Sequence, residues 1–371
     1  MNWRLLQEDG VGAAQGLAVD EMLSRRVGRG DSPATLRLYS YRPHCVLVGR
    51  FQDVAHEVDV DACVSRGYEI NRRPTGGGTI LMGPDQLGIA LALRGRGAGL
   101  HGRPRQLMQQ FAQGVIRGLQ MMGINARFRG KNDVEVRGRK IAGLGVCRDA
   151  SGGLLFHGSL LVDLDVGLMA SLLRLPDEVG SSLEELAQKT TTVRRCLLRT
   201  LGVDEMRGRV AAGFASAFDV KIEAGELDAA ECAAARQIAE EKYSSAEWLQ
   251  QRSSVIDREG AAEVRPPAGT VRAYVQMAGS TLKAVHVRGD FFEDAAAIAD
   301  LEGRLRWHST AEQRVEETVA EWARSRPAGT VPADSFAESI RLAIARAGSK
   351  ESSAAQPEPY GCFVSPEVRH G

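Results

Sequence analysis

The hydrophobic pattern predicts a first region in which sheet segments alternate with helices. Residues 17–27 place apolar side chains on one face of a helix, and residues 35–39 and 45–48 are typical of short strands. Residues 128–165 alternate strand-like runs with Gly-rich turns, which predicts a meandering antiparallel sheet. Helical patterns dominate residues 166–251. The region therefore predicts mixed or antiparallel sheets flanked by helices.

A turn-rich break, RPPAG at residues 265–269, separates this region from a second one. Beyond the break, residues 271–277 and 282–288 predict a hairpin, and helical patterns follow up to residue 347. The fold class predicted is α+β for both parts. The expected organisation is a catalytic domain over 1–252, a linker over 253–270, a small α+β accessory domain over 271–347 and a disordered tail over 348–371.

Composition narrows the class of protein. The 371 residues carry 47 basic and 47 acidic side chains, and a net charge of zero argues against a broad nucleic-acid surface. No apolar run reaches the roughly 20 residues that a membrane span needs, and the N-terminus lacks the apolar segment of a signal peptide. Six cysteines show no CxxC spacing, which indicates reduced thiols. We expect a cytoplasmic protein with neither nucleic-acid nor membrane partners.

The first chemical candidate is a run of three glycines, Gly76, Gly77 and Gly78, preceded by Arg72 and Arg73. Backbone without side chains lets N–H groups approach a ligand closely, and arginines supply donors for a phosphate or carboxylate. A tight turn between two strands is the alternative. The run is neither a P-loop nor a GxGxxG motif. From the residues alone, both interpretations stay open.

A second polar cluster follows about sixty residues later. Lys140 lies at the start of an apolar strand that contains several glycines. If its ammonium is partly buried there, it needs an anionic partner, which is either a ligand or a structural carboxylate. Asn132 and Asp133 are interpreted either as a turn pair or as ligands of a magnesium ion or a ribose. His157 is interpreted either as a strand-end histidine or as part of a site.

Six motifs, taken in order, resemble those of the lipoate–protein ligase A family. They are VGRFQ at 48–52, RRPTGGGTI at 72–80, KND at 131–133, GRKIAG at 138–143, HGSLL at 157–161, and KY at 242–243 followed by Trp248. Residues 270–345 resemble the accessory domain of that family on weaker grounds.

The resemblance implies a fold and an activity. Such enzymes activate lipoic acid with ATP and Mg²⁺ to lipoyl-AMP, then transfer the lipoyl group to a lysine of an acceptor lipoyl domain. It implies that Lys140 is catalytic, that Asp133 binds the phosphate or Mg²⁺, and that His157 lies at the lipoyl end of an apolar tunnel. The implied substrate-binding residues are Arg72, Arg73, Gly76, Gly77, Gly78, Thr79, Ile80, Leu81, Asn132, Asp133, His157, Gly158 and Ser159.

Four positions depart from that family: Met82, Gln86, Phe156 and Tyr41. The run from Met82 to Leu87 is closer to the HGPGQL of lipoyl or octanoyl transferases, which puts the acyl donor in question.

The alternative function is therefore an octanoyl or lipoyl transferase that takes its acyl group from a carrier protein or a lipoyl domain without ATP. A cysteine nucleophile is expected for that chemistry, and Cys147 is the nearest candidate, although a small buried thiol is the more ordinary interpretation. Biotin ligation is disfavoured because a GRGRxGxxW-type motif is missing. A non-catalytic binding protein on the same scaffold is the third alternative, and the retained Lys140 argues against it.

Overall fold

The computed structural model describes residues 2–95, 103–174, 183–199, 201–251, 260–326 and 329–353. Within these ranges the strands are β1 (Asn2–Val11), β2 (Thr35–Tyr41), β3 (Cys45–Val48), β4 (Glu69–Arg72), β5 (Ile80–Met82), β6 (Gln86–Arg94), β7 (Arg127–Arg129), β8 (Asp133–Val136), β9 (Arg139–Arg148), β10 (Gly153–Leu161), β11 (Lys221–Ala224), β12 (Gly260–Val264), β13 (Val271–Ala278), β14 (Thr281–Gly289) and β15 (His308–Ser309). The helices are α1 (Ala13–Arg29), α2 (Val54–Glu57), α3 (Val60–Ser65), α4 (Pro104–Gln120), α5 (Val166–Leu172), α6 (Leu183–Lys189), α7 (Val193–Leu197), α8 (Val203–Phe218), α9 (Ala229–Ile238), α10 (Ala246–Gln250), α11 (Ala295–Leu305), α12 (Glu312–Ser325) and α13 (Ala333–Ser353).

The largest sheet is mixed. Its strand order is β11-β1-β2-β6-β10-β9-β8-β7, with β1 parallel to β2 and to β11 and the other pairs antiparallel. The antiparallel run from β7 to β10 is the meander that the pattern of residues 128–165 predicts. The predicted α+β fold is confirmed.

The two faces of this sheet differ because side chains alternate along each strand. On β6, Leu87, Ile89 and Leu91 pack into the core that α4 and α8 complete. Ala90 and Ala92 point to the opposite face, where they contribute to cores built around α1.

A second, three-stranded sheet has the order β4-β3-β5 and carries the glycine run between β4 and β5. Leu47 and Met82 from this sheet share a core with Leu17 of α1 and with Tyr39 and Tyr41 of β2. The small sheet is therefore fastened to the α1 face of the large one.

The C-terminal part forms a four-stranded antiparallel sheet, β12-β13-β14-β15, whose core includes Trp322 and Phe336 from the helices that cover it. The predicted hairpin is β13 with β14. Part of the expected linker differs from the prediction, because β12 lies within it and pairs with β13. GAAEV has little strand pattern of its own, so pairing with β13 and packing beneath α13 decide its conformation. Helix α13 continues past the expected start of the tail at residue 348, and residues 354–371 lie outside the described residues.

The last part of the predicted helical region, residues 227–251, is divided into separate helices. A π-helical turn, Ala239–Tyr243, follows α9, and the Ser245 side chain caps α10 by accepting from the Trp248 N–H. Lys242 and Tyr243 both donate to the Glu21 carboxylate, at 2.6 and 2.5 Å, and so hold this segment against α1. Among the helices of the described ranges, none has the length and apolar character needed to cross a bilayer.

Candidate functional site

A cavity of about 240 Å³ lies between the large sheet and the small one. Its charged end, which is partly exposed, is formed by Lys131, Asp133, Lys140 and Asp290. Its apolar end, which is buried or nearly so, is formed by Leu17, Tyr39, Tyr41, Leu47, Ile80 and Met82. Between the two ends lie residues 73–79, which we call the glycine loop, and the facing segments of β9 and β10. The cavity thus joins an apolar slot to a cluster of charges.

The glycine loop lies against the segment that follows β14. A Cβ atom at Gly76 would overlap the carbonyl oxygen of Phe291, and one at Gly77 would press on the Phe292 ring. Gly77 has a φ of +94° and its N–H donates to Phe291 O at 3.4 Å. Gly78 has open space around it. Two of the three glycines are therefore required by close packing on the C-terminal part, while the third faces the cavity.

We expect Gly76→Ala to destabilise the protein by about 1 to 3 kcal/mol, because the new methyl group must displace the backbone at Phe291. Thermal unfolding measures the change. Gly78→Ala is the matched control, since its methyl group meets open space and should leave the free energy of unfolding almost unchanged. Equal loss in both variants would contradict this account of the loop.

The two predicted arginines have different positions. Arg73 lines the cavity, and its guanidinium donates to the carbonyl oxygens of Leu47, Gly76 and Gly78. Burial lowers the pKa of Arg73 to about 10, so the side chain stays cationic at neutral pH. Arg72 is fully buried outside the cavity lining and donates to five backbone carbonyls, those of Gly49, Arg50, Gln52, Trp248 and Leu249. These hydrogen bonds make Arg72 a structural cross-link between residues 49–52 and residues 248–249.

Two ion pairs form the charged end. Lys140 Nζ lies 2.8 Å from Asp133 Oδ1, and Lys131 Nζ lies 2.5 Å from Asp290 Oδ2. Asn132 donates to the carbonyl oxygen of Leu144 at 2.7 Å, which ties this segment to β9. Lys140 thus has a structural carboxylate as its partner.

The magnesium site that the resemblance implies at Asp133 stays a prediction. The Asp133 carboxylate faces the Lys140 ammonium. Within the described parts of the chain, no group of three or more His, Cys, Asp or Glu side chains is placed to hold a metal ion.

The four departures from the expected motifs have separate positions. Met82 and Tyr41 line the apolar end, and the Ser159 hydroxyl lies 3.1 Å from Met82 Sδ. Phe156 points to the other face of the sheet, where its ring packs 5.4 Å from that of Phe111. Gln86 donates to Asp163 O at 2.8 Å, away from the cavity lining. Met82 and Tyr41 are thus the two departures that line the apolar end of the cavity.

Most residues expected at the site lie together along the cavity: Arg73, Gly76, Gly78, Thr79, Ile80, Asn132, Asp133, Lys140, His157, Gly158 and Ser159. Arg72, Gly77 and Leu81 do not line it, and Leu81 packs in the core beneath the small sheet.

Sequence reasoning missed two acidic residues. Asp290 comes from the C-terminal part, and no local pattern indicates it. Asp20, which contacts His157, had a signal: it lies three residues from both Leu17 and Leu23, on the apolar face of α1, where a carboxylate is unusual.

Cys147 does not line this cavity. It lies at a neighbouring cleft that also contains Lys242 and Trp248. Burial raises the pKa of the Cys147 thiol to about 12, which leaves almost no thiolate at neutral pH. Among the residues that the structure describes, no cysteine lines the cavity with Lys140.

Three comparisons with known proteins bear on this site. The family model described as "Lipoyl protein ligase A/B catalytic domain" matches residues 12–215. An octanoyltransferase LipM of Symbiobacterium thermophilum is 31% identical over 271 residues, which cover 67% of this chain and 97% of that protein.

Two solved structures are similar in fold. A bi-partite lipoate protein ligase from Thermoplasma acidophilum, studied with its E2 lipoyl domain, has a TM-score of 0.62 and 25% identity, covering 69% of this chain and 99% of that chain. A lipoate-protein ligase A bound with ATP has a TM-score of 0.59 and 24% identity, covering 68% of this chain and 100% of that one.

The expectation of an ATP-dependent lipoate ligase is wrong on these comparisons. The relative that is 31% identical over two thirds of this chain is an octanoyltransferase. The physical reason for the error is that a glycine loop beside a lysine is compatible with any reaction at an acyl carbonyl that needs a nearby cation. Those motifs predict the scaffold and the acyl site, and they do not distinguish an adenylate from a thioester as the activated acid.

Proposed function

Because this chain belongs to the lipoyl protein ligase A/B catalytic domain family, whose model matches residues 12–215, we propose that it is an octanoyl transferase. The substrate is an octanoyl-class acyl group carried as a thioester on a carrier protein or a lipoyl domain. The product is an amide on a lysine of a lipoyl-acceptor domain. The observation that carries the proposal is the cavity itself, in which a buried apolar slot ends beside Lys140.

The apolar end suits a hydrocarbon chain. Leu17, Leu47 and Met82 are almost fully buried, so an acyl chain that enters the slot loses its contact with water, at about 25 cal/mol per Å² of apolar surface. Tyr39 and Tyr41 close the same end.

The charged end suits the reacting carbonyl. When an amine adds to a thioester, negative charge develops on the carbonyl oxygen, and a nearby ammonium stabilises it. Lys140 lines the cavity with its Nζ beside Gly143, and we propose that the carbonyl oxygen lies next to it. Asp133 holds the ammonium in place at 2.8 Å.

The acceptor lysine attacks the donor thioester directly in this proposal. The described residues that line the cavity include no cysteine, and Cys147 lies at another cleft. The acceptor is a lipoyl-type domain because the similar ligase of Thermoplasma acidophilum was studied with its E2 lipoyl domain, and because lipoylation is a modification of a protein lysine.

The test uses full-length protein, an octanoyl thioester of a carrier protein, an acceptor lipoyl domain and no nucleotide. We expect intact-mass spectrometry to show one octanoyl group added to the acceptor. A variant with all six cysteines changed to alanine should transfer at a similar rate. Transfer that appears only when ATP is added, starting from free acid, would overturn the proposed function. An octanoyl group trapped on a cysteine would overturn the direct attack.

A further inference from the structure

His157 and Asp20 form a buried pair at the middle of the cavity. His157 Nε2 lies 2.9 Å from Asp20 Oδ2, and its other ring nitrogen, Nδ1, lies 3.4 Å from the Thr75 hydroxyl in the glycine loop. Asp20 is fully buried on α1, whereas His157 lines the cavity. The carboxylate thus lies on one side of the imidazole, and Nδ1 lies beside the glycine loop.

The partners of Asp20 keep it ionised. Burial opposes ionisation, but the Arg37 guanidinium, His157 and the Tyr39 hydroxyl together hold the pKa of Asp20 below its usual range. Arg37 Nη1 donates to Oδ1 at 2.7 Å, and the Tyr39 hydroxyl donates to Oδ2 at 2.7 Å. An ionised carboxylate only accepts hydrogen bonds, so His157 Nε2 carries a proton, and the neutral tautomer that this selects has an unprotonated Nδ1.

Lys140 and Thr75 approach the same face of β9. A Cβ atom at Gly143 would lie 3.2 Å from Lys140 Nζ, and one at Gly145 would lie 3.1 Å from Thr75 Oγ1, which neighbours Nδ1. Gly143 and Gly145 are two residues apart on β9, so they lie on one face of the strand. Lys140 and His157 both line the cavity.

We propose that His157 is the general base that deprotonates the acceptor lysine and that Asp20 is the positioning residue that fixes its tautomer. This assignment rests on the proposed function. The acceptor lysine enters as an ammonium and gives one proton to Nδ1, so that its neutral nitrogen bonds to the thioester carbonyl carbon and the oxyanion lies at Lys140. The carbon–sulfur bond then breaks, the leaving thiolate takes a second proton from that nitrogen, and the imidazolium releases its proton to water. One thioester and one ammonium become one amide, one thiol and one proton.

Asp20→Asn tests the tautomer directly. Arg37 requires an acceptor at the Oδ1 position, so the amide oxygen must lie there and the amide nitrogen must face His157. The imidazole then has to accept at Nε2, and its proton moves to Nδ1, where it can no longer serve as a base. Glu8→Gln is the matched control. Glu8 also forms an ion pair with the Arg37 guanidinium, but it touches neither Asp20 nor His157.

The experiment compares two nucleophiles with the same octanoyl thioester and full-length protein. One is the lysine of the acceptor domain, and the other is hydroxylamine, which is already unprotonated at neutral pH and needs no base. We expect Asp20→Asn and His157→Gln to lower kcat for the lysine by about 10²-fold, with KM for the acceptor changed by less than about threefold. Hydroxamate formation, after subtraction of the reaction without protein, should stay within about threefold of wild type in both variants and in Glu8→Gln, because Lys140 is intact.

Two outcomes overturn the assignment. Equal loss of both reactions in Asp20→Asn and His157→Gln would show a structural role, and unchanged lysine transfer would show that His157 is not the base. Absence of transfer by the wild-type protein to either nucleophile would instead overturn the proposed function, and the assignment with it.

Discussion

Lys140→Ala should lower octanoyl transfer to the acceptor lysine by at least about 10³-fold, because the variant loses the cation beside the developing oxyanion. A loss of that size corresponds to about 4 kcal/mol of transition-state stabilisation. Transfer to hydroxylamine should fall by a similar factor, since both nucleophiles pass through the same oxyanion. Initial rates by intact-mass spectrometry, at saturating donor, measure both.

Arg139→Ala is the control for Lys140→Ala. Arg139 is the preceding residue on β9 and is exposed, and it does not line the cavity, so its removal changes the local charge without changing the site. We expect transfer by this variant within about twofold of wild type. If Lys140→Ala transfers normally to hydroxylamine, the lysine does not stabilise the oxyanion and another donor must be sought.

Much of the site could be predicted because its residues are grouped in the sequence. The glycine loop, the segment from Lys131 to Asp133 and the strand from His157 each show special residues at short spacing. Strands β9 and β10 are joined by a short turn, so their alternation sets which residues share a face once the pairing is known.

Other parts of the site depend on contacts between distant elements. Asp290 reaches Lys131 across 159 positions of sequence, and no local pattern reports such a contact. Asp20 reaches His157 across 137 positions. A carboxylate on an apolar helix face indicates burial, but its partner follows only from the packing of α1 on the sheet.

The choice between ligase and transferase has a different physical origin. Both reactions need an apolar slot for the acyl chain and a cation at its carbonyl, and the sequence motifs predict residues for both tasks. What differs is the group that leaves, a phosphate or a thiolate. Met82 and Tyr41 line the apolar end of the cavity and Lys140 belongs to its charged end, so under the proposed function they bear on the choice of acid and not on its activation.

Arg72→Ala should destabilise the protein by about 4 kcal/mol, a far larger effect than the same change at an exposed arginine. Arg72 is fully buried, and its guanidinium is the donor for five carbonyl oxygens of two separate segments, residues 49–52 and 248–249. Each buried acceptor left without a partner costs about 1 to 3 kcal/mol, less where water enters the new space. Chemical denaturation with urea, analysed as a shift of the midpoint at constant slope, measures the loss.

Arg66→Ala provides the comparison. Arg66 is exposed and donates to a single carbonyl, that of Ala62, so its removal should change the free energy of unfolding by less than about 0.5 kcal/mol.

The same pair of variants decides between the two interpretations of Arg72. If Arg72→Ala keeps its stability but loses affinity for the acyl donor, Arg72 binds substrate as the sequence motif implied. The alternative result is that Arg72→Ala loses stability but still transfers the acyl group at urea concentrations well below its unfolding midpoint. In that case Arg72 is a cross-link between the small sheet and α10. The carbonyl oxygens that each arginine binds show that Arg73 faces the cavity and that Arg72 is turned away from it.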